Sequence, residues 1–124
     1  KKQRLGNKYY VYTHNGTINT KLEVTELARK FEILGAGEVV INSIDRDGGM
    51  QGYDLKLIKQ VRDIVTIPVT ALGGAGSLEH IKELVNCFGI VGASAGSLFV
   101  FKGKYRAVLI NYPDQSVKDK IVKY

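Results

Sequence analysis

The sequence predicts an α/β fold whose strands run parallel. Three short runs of β-branched and small residues alternate with amphipathic helix patterns, the order that right-handed β–α–β crossovers produce. Successive positions within each run are apolar or small, which is typical of strands buried on both faces. The chain has 124 residues, 44% of them hydrophobic and 24% charged, and we expect residues 1–124 to form one globular domain.

The first predicted elements are an N-terminal hairpin and a helix. We expect a turn at Arg4–Lys8 and a returning strand at Tyr9–Thr13, which is rich in aromatic and β-branched residues. A loop at His14–Gly16 follows. From Glu23 onward, apolar residues recur at three- and four-residue spacing, which predicts a helix that ends at Gly35.

The rest of the predicted fold consists of strand–helix units. Val39–Ile44 is the first buried strand, and Asp54 can cap the helix that follows. Ile67–Ala71 is the second strand, and Ser77 can cap the third helix. Ile90–Ala95 is the third strand.

Acidic residues and glycines follow the ends of these three strands. Asp45 and Asp47 come after the first strand, Gly73–Gly74 after the second and Gly96–Ser97 after the third. These positions meet at one edge of a parallel sheet, where glycine backbone amides and helix N-termini favour an anion. The sequence therefore predicts a phosphate site beside a carboxylate. Alternatively, the two acids only shape a turn and the glycines only allow the chain to reverse.

Charge and cysteine content narrow the function classes. The net charge of +6 comes from scattered Lys and Arg residues, which suits a small anionic ligand rather than nucleic acid. The apolar runs are too short to span a bilayer, and we expect no leader segment. Cys87, the single cysteine, is predicted to be a buried structural thiol in a reducing cytoplasm. We expect neither a metal site nor a cofactor.

Three segments of the chain resemble one enzyme family. They read L-G-A-G-E-V-V-I-N-S-I-D-R-D-G-G-M-Q-G-Y-D-L-K-L-I at 34–58, I-P-V-T-A-L-G-G-A-G-S-L-E-H at 67–80 and A-S-A-G-S-L-F at 93–99. Together they resemble the cyclase subunit of imidazole glycerol phosphate synthase, a (β/α)₈ TIM barrel. The resemblance implies that this chain is the C-terminal half of such a barrel, with strands six to eight.

The resemblance also implies roles for individual residues. Asp47 matches one of two catalytic aspartates and would be a general acid/base in ring closure. Glu38 matches a charged ring that gates ammonia arriving from a glutaminase partner. The substrate would be a phosphorylated ribonucleotide in histidine biosynthesis. The positions that would hold its phosphate are Gly48, Gly73, Gly74, Gly96 and Ser97.

Several positions depart from the family pattern. Asn42, Leu72 and Asn15 stand where the family usually has Thr, a small hydroxyl residue and Ser, and all three would line the active site. The other catalytic aspartate and an acid of the fifth strand fall outside this sequence. The run Lys102–Pro113 resembles instead a paralogous branch associated with amidination of bacterial surface sugars.

Three functional hypotheses remain open at this point. The first is cyclase chemistry with ammonia from a glutaminase, and the second is the paralogue's delivery of ammonia to a separate sugar-modifying enzyme. The third is an inert, phosphate-binding half barrel. As an isolated half barrel the chain is expected to self-associate through strand edges at Tyr9–Thr13 and Ile90–Ala95.

Overall fold

The computed structural model describes residues 1–3, 6–89 and 91–122. Within these ranges the chain alternates short strands with helices before ending in a second small hairpin and a helix. The elements are β1 (Tyr10–Thr13), β2 (Ile18–Glu23), α1 (Val24–Ile33), β3 (Val39–Asn42), α2 (Leu55–Arg62), β4 (Val69–Leu72), α3 (Leu78–Phe88), β5 (Gly92–Ala93), α4 (Ser97–Val100), β6 (Phe101–Lys102), β7 (Ala107–Val108) and α5 (Gln115–Ile121).

The central element is a three-stranded parallel sheet in the order β3-β4-β5. Val39 pairs with Val69 and Asn42 with Leu72, so β3 and β4 end side by side. The predicted parallel α/β class is confirmed. This arrangement of parallel strands with connecting helices is that of a partial (β/α)₈ barrel.

Helices α2 and α3 pack on one face of this sheet, and each contributes buried side chains to the core. Val61 of α2 and Leu84 of α3 are completely buried. Both predicted caps are present. The Asp54 side chain accepts a hydrogen bond from the Leu57 backbone N–H at 3.1 Å. The Ser77 hydroxyl accepts one from the His80 backbone N–H at 3.4 Å. Each cap satisfies a backbone donor that the first helical turn leaves without a partner.

The opposite face of the sheet is open. Val40 is 58% exposed and Asn42 is also exposed, whereas their neighbours Val39 and Ile41 are buried. The prediction that both faces are covered is therefore wrong for β3 in this chain. A strand alternates its side chains between two faces. The described residues place no layer over the face that carries Val40 and Asn42, which we call the concave face because it would face the interior of a barrel.

The N-terminal hairpin differs from its predicted pairing. An isolated bridge joins Lys2 to Tyr9, as a turn near Arg4–Lys8 requires, although Arg4 and Leu5 lie outside the described residues. The main partner of β1 is the following strand β2, which was not predicted. Its sequence I-N-T-K-L-E is largely polar and the strand is mostly exposed, so it carries little hydrophobic signal.

Three other expectations are wrong. Tyr9–Thr13 is not an edge of the parallel sheet, because β1 pairs only within the hairpin, and the sheet ends at β3 and β5. The third strand is shorter than Ile90–Ala95, and Ile90 itself lies outside the described residues. Cys87 is exposed rather than buried, because it lies on the outer side of α3.

The C-terminal segment forms a short hairpin and a helix. β6 and β7 pair antiparallel, Phe101 with Val108, and α5 packs against α3. Large side chains are left exposed along the hairpin and the stretch after it, including Tyr105, Val108 and Ile110. In the described part of the chain, no helix combines the length and apolar character that crossing a membrane requires.

Candidate active site

The two acidic residues after β3 have different surroundings. The Asp45 carboxylate accepts a hydrogen bond from the Lys2 backbone N–H at 2.7 Å, which ties the loop to the N-terminal segment. Asp45 also lines a cavity of about 430 Å³ together with Arg46. Asp47 lines a different, open cavity of about 650 Å³, which is formed by the N-terminal hairpin, α1 and β3. The Asp45 carboxylate thus has a backbone partner in the N-terminal segment, whereas Asp47 lies on the larger of the two cavities.

The backbone of the Asp47 loop is held by a compact set of turns. The N–H groups of Arg46 and Asp47 both donate to the Ser43 carbonyl, at 3.0 and 2.9 Å. Ser43 is buried, and its own N–H donates to the Leu72 carbonyl at 3.0 Å. The loop thus begins from a fixed point at the end of the β3–β4 pair.

The same cavity collects two other predicted site residues. Asn15, in the turn between β1 and β2, and Asn42, at the end of β3, both line it. The Asn42 Nδ2 donates to Asp47 Oδ2 at 3.3 Å. Leu72 pairs with Asn42 in register, and the alternation of burial along β4 puts its side chain on the same face of the sheet.

The glycines after β4 allow two loops to pack closely. A Cβ on Gly73, whose φ is +92°, would lie 2.6 Å from Asn42 Oδ1. A Cβ on Gly74, whose φ is +102°, would overlap the Gly52 carbonyl oxygen. The Gly52 N–H also donates to the Gly74 carbonyl at 2.7 Å, so the β3 and β4 loops are bonded together. Packing alone thus accounts for glycine at these two positions.

The remaining phosphate-loop candidates have more space around them. A Cβ at Gly48 or at Gly96 would meet no atom within 4 Å. Gly96 precedes Ser97 at the start of α4, one strand further along the sheet, and its carbonyl accepts from Phe99 and Val100. Their openness leaves room for a ligand at these loops.

Glu38 lies at the opposite end of β3 from Asp47. Its Oε1 accepts a hydrogen bond from the Thr70 hydroxyl of β4. Thr70 shares the face of β4 that carries Leu72, so the carboxylate is held toward the concave side of the sheet.

Two buried tyrosines connect the elements around the site. Burial raises the pKa of Tyr9 to about 12, reinforced by its hydrogen bond to Asp54 at 3.0 Å. Burial likewise raises the pKa of Tyr53 to about 12, and its hydroxyl donates to the Ser94 carbonyl at 2.9 Å. Both hydroxyls therefore remain protonated at neutral pH, which suits structural donors.

The sequence pattern did not indicate four residues that shape this site. Ser43 and Gly52 anchor the Asp47 loop. The Thr70 hydroxyl donates to Glu38, and the Tyr53 hydroxyl donates to the backbone of the segment after β5. Apart from the local turns on the Ser43 carbonyl, these contacts join residues that are distant in sequence, so spacing along the chain could not predict them. Among the described residues, no group of three His, Cys, Asp or Glu side chains is arranged to hold a metal ion.

Comparison with known proteins identifies the family. A family model described as "Histidine biosynthesis protein" matches residues 1–106. The chain belongs to this histidine biosynthesis protein family.

Three relatives illustrate the relationship within the histidine biosynthesis family. The chain is 51% identical over 121 residues to a "Putative imidazole glycerol phosphate synthase subunit HisF" of Leptospira borgpetersenii, covering 98% of this chain and 48% of the relative. It is 48% identical over 123 residues to a "Putative imidazole glycerol phosphate synthase subunit hisF3" of Vibrio vulnificus, covering 99% and 47%. The "Imidazole glycerol phosphate synthase subunit HisF" of Petrotoga mobilis is 47% identical over 109 residues, covering 86% and 42%.

These matches also show how much of a full-length relative this chain corresponds to. The chain spans about half the length of the curated relatives that it matches. The match to the family model ends at Arg106, so β7 and α5 lie beyond the matched residues. The Leptospira and Vibrio matches nonetheless cover almost the whole chain and so include most of this C-terminal segment.

Proposed function

We propose that this chain is the C-terminal half of a cyclase subunit of the imidazole glycerol phosphate synthase type. In this role Asp47 would be a general acid/base while the barrel closes an imidazole ring and releases an aminoimidazole ribonucleotide. Three relatives that carry the synthase name are 47–52% identical to the chain over 109–121 residues. Because the chain covers about half of each, the activity belongs to the complete barrel.

The position of Asp47 supports this proposal most directly. Its carboxylate lines the open cavity at the carboxyl end of β3, the end at which (β/α)₈ enzymes place their catalytic groups. Asp45, two residues earlier, is bonded to the Lys2 backbone, which leaves Asp47 as the acid directed to the cavity. A carboxylate here can take a proton from one substrate atom and return it to another.

Turnover of the full-length protein tests the proposal. The assay supplies the ribonucleotide substrate with an ammonium salt, so that no glutaminase is needed, and measures imidazole product. Product formation is the expected result. A folded full-length protein that yields no product with saturating ammonium would exclude the cyclase function.

We also propose a glutaminase as the partner of the full-length protein, in the cytoplasm. The relatives are named as subunits of a synthase, which favours a second component. Glu38 and Thr70 lie at the end of the sheet opposite Asp47, and their hydrogen bond holds a carboxylate where ammonia would enter the barrel. Ammonia that entered there would reach Asp47 along the concave face.

The second candidate function is delivery of ammonia for amidination of a surface sugar by another enzyme. The C-terminal segment favours it. The Leptospira and Vibrio relatives, whose names carry "Putative", match 98% and 99% of this chain, whereas the Petrotoga match covers 86%. In this case the full-length protein would support glutamine-dependent amidination of a sugar nucleotide and would form no imidazole product.

Phosphate binding is expected at the loops that follow β4 and β5. Ser97→Ala should weaken binding of inorganic phosphate by about 10-fold or more, because a hydrogen bond to a charged group contributes about 1.5–3 kcal/mol. Calorimetric titration with phosphate measures the change. Ser116→Ala, on the exposed side of α5, is the matched control and should bind as the wild type does. Equal affinities for both variants would remove Ser97 from the site.

The isolated chain is expected to form a homodimer or a higher oligomer. The sheet ends at β3 and β5 without further partners among the described strands, and Val40 exposes an apolar side chain on the concave face. Sedimentation at micromolar concentration should give at least twice the chain mass. Val40→Asp should produce monomers, whereas Tyr105→Asp, which changes an exposed residue of the β6–β7 hairpin, should not. A compact wild-type monomer would contradict the prediction.

A further inference from the structure

The Asn42 side chain lies between the two loops that frame the candidate active site. Asn42 is the last residue of β3 and pairs in register with Leu72, after which Gly73 begins the β4 loop. On one side its Nδ2 donates to Asp47 Oδ2 at 3.3 Å. On the other side its Oδ1 occupies the space beside Gly73.

The hydrogen-bonding capacity of the two side chains fixes this orientation. An ionised carboxylate only accepts hydrogen bonds, so the NH₂ end of the Asn42 amide must face Asp47. The Oδ1 end is then directed to Gly73, where a Cβ would lie only 2.6 Å away. The same Cβ would also lie 2.8 Å from the Ser43 carbonyl oxygen, so glycine at position 73 makes room for both the Asn42 amide and the Ser43 backbone.

We propose that Asn42 is a positioning residue that holds the Asp47 carboxylate in its working orientation and couples it to the Gly73 loop. The catalytic part of this inference rests on the proposed function of Asp47. Asp47 is exposed on a turn whose backbone is already fixed by the Ser43 carbonyl. What remains free is the rotation of its side chain, and a donor on a rigid strand end restricts that rotation.

A measurement on the isolated chain tests the contact without any assay of activity. Nuclear magnetic resonance observes the Asn42 side-chain NH₂ group, whose signals respond to its hydrogen-bond acceptor. Asp47→Asn should shift these signals. Asp45→Asn is the matched control and should leave them unchanged, because the Asp45 carboxylate binds the Lys2 backbone instead. Asn42 signals that do not shift in Asp47→Asn, or that shift equally in both variants, would overturn the proposed contact.

A double-mutant cycle in the full-length protein tests the consequence for catalysis. Asn42→Leu keeps a similar volume but removes the donor, and it should lower kcat by about 10-fold to 100-fold with little change in KM. In an Asp47→Asn background the same substitution should have no further effect, because Asn42 acts through Asp47.

The two experiments separate the possible failures. If Asn42→Leu lowers kcat by the same factor in both backgrounds, Asn42 acts independently of Asp47 and the positioning role is wrong. If the full-length wild type forms no imidazole product, the cyclase function fails, and the magnetic resonance comparison still decides whether Asn42 holds Asp47.

Discussion

Asp47→Asn in the full-length protein should lower the rate of ring closure by about 10²–10⁴-fold, the contribution typical of a general acid/base. The substitution removes the proton-transfer group but preserves the size of the side chain. The backbone of the loop should remain in place, because it is fixed by hydrogen bonds to the Ser43 carbonyl rather than by the Asp47 side chain. Steady-state rates with ammonium as the nitrogen source measure the loss.

Asp45→Asn provides the matched control for this prediction. The two acids are separated by one residue, and both are exposed. An asparagine at position 45 can still accept the hydrogen bond from the Lys2 backbone, so the rate should stay within about threefold of the wild type. Asp47→Asn with nearly full turnover would show that Asp47 only shapes its turn. Equal losses in both variants would point to a general disturbance of the loop.

Local features of the fold could be predicted from the sequence. Asp54 and Ser77 were identified as helix caps, because a cap depends on residues three positions apart and on the apolar spacing that follows. The parallel strands were predicted because alternating strand and helix patterns leave few other topologies. In contrast, β2 is mostly exposed and polar. This strand forms because it pairs with β1, and its own sequence carries no hydrophobic pattern that would indicate the pairing.

The candidate site also combines features that the sequence predicts with features that depend on tertiary contacts. The position of Asp47 after a buried strand marked it as a candidate, and the structure places it on an open cavity. The Asp45 carboxylate accepts a hydrogen bond from the backbone of Lys2, which is distant in sequence. The Asp47 carboxylate accepts one from the side chain of Asn42 at the end of β3. Side-chain direction in a turn depends on such neighbours, and no spacing rule supplies them.

The glycines illustrate how one sequence signal has more than one physical cause. Gly74 and Gly96 each follow a parallel strand, and each was predicted to bind phosphate. In the structure Gly74 has a φ of +102° and faces the Gly52 carbonyl, whereas Gly96 lacks close neighbours and has a φ of −96°. Packing requires glycine at the first position but not at the second.

Gly74→Ala should therefore lower the free energy of unfolding of this chain by about 3–5 kcal/mol, because it combines an unfavourable φ with a clash against backbone. The Gly52 N–H bond to the Gly74 carbonyl would have to break or lengthen as the loops separate. Urea denaturation measures the change. Gly96→Ala is the matched control, and its stability should stay within about 0.5 kcal/mol of the wild type. If Gly74→Ala were equally harmless, the close packing of the β3 and β4 loops would be wrong. If Gly96→Ala kept full stability but lost phosphate affinity, the open glycine would be the one that serves the ligand.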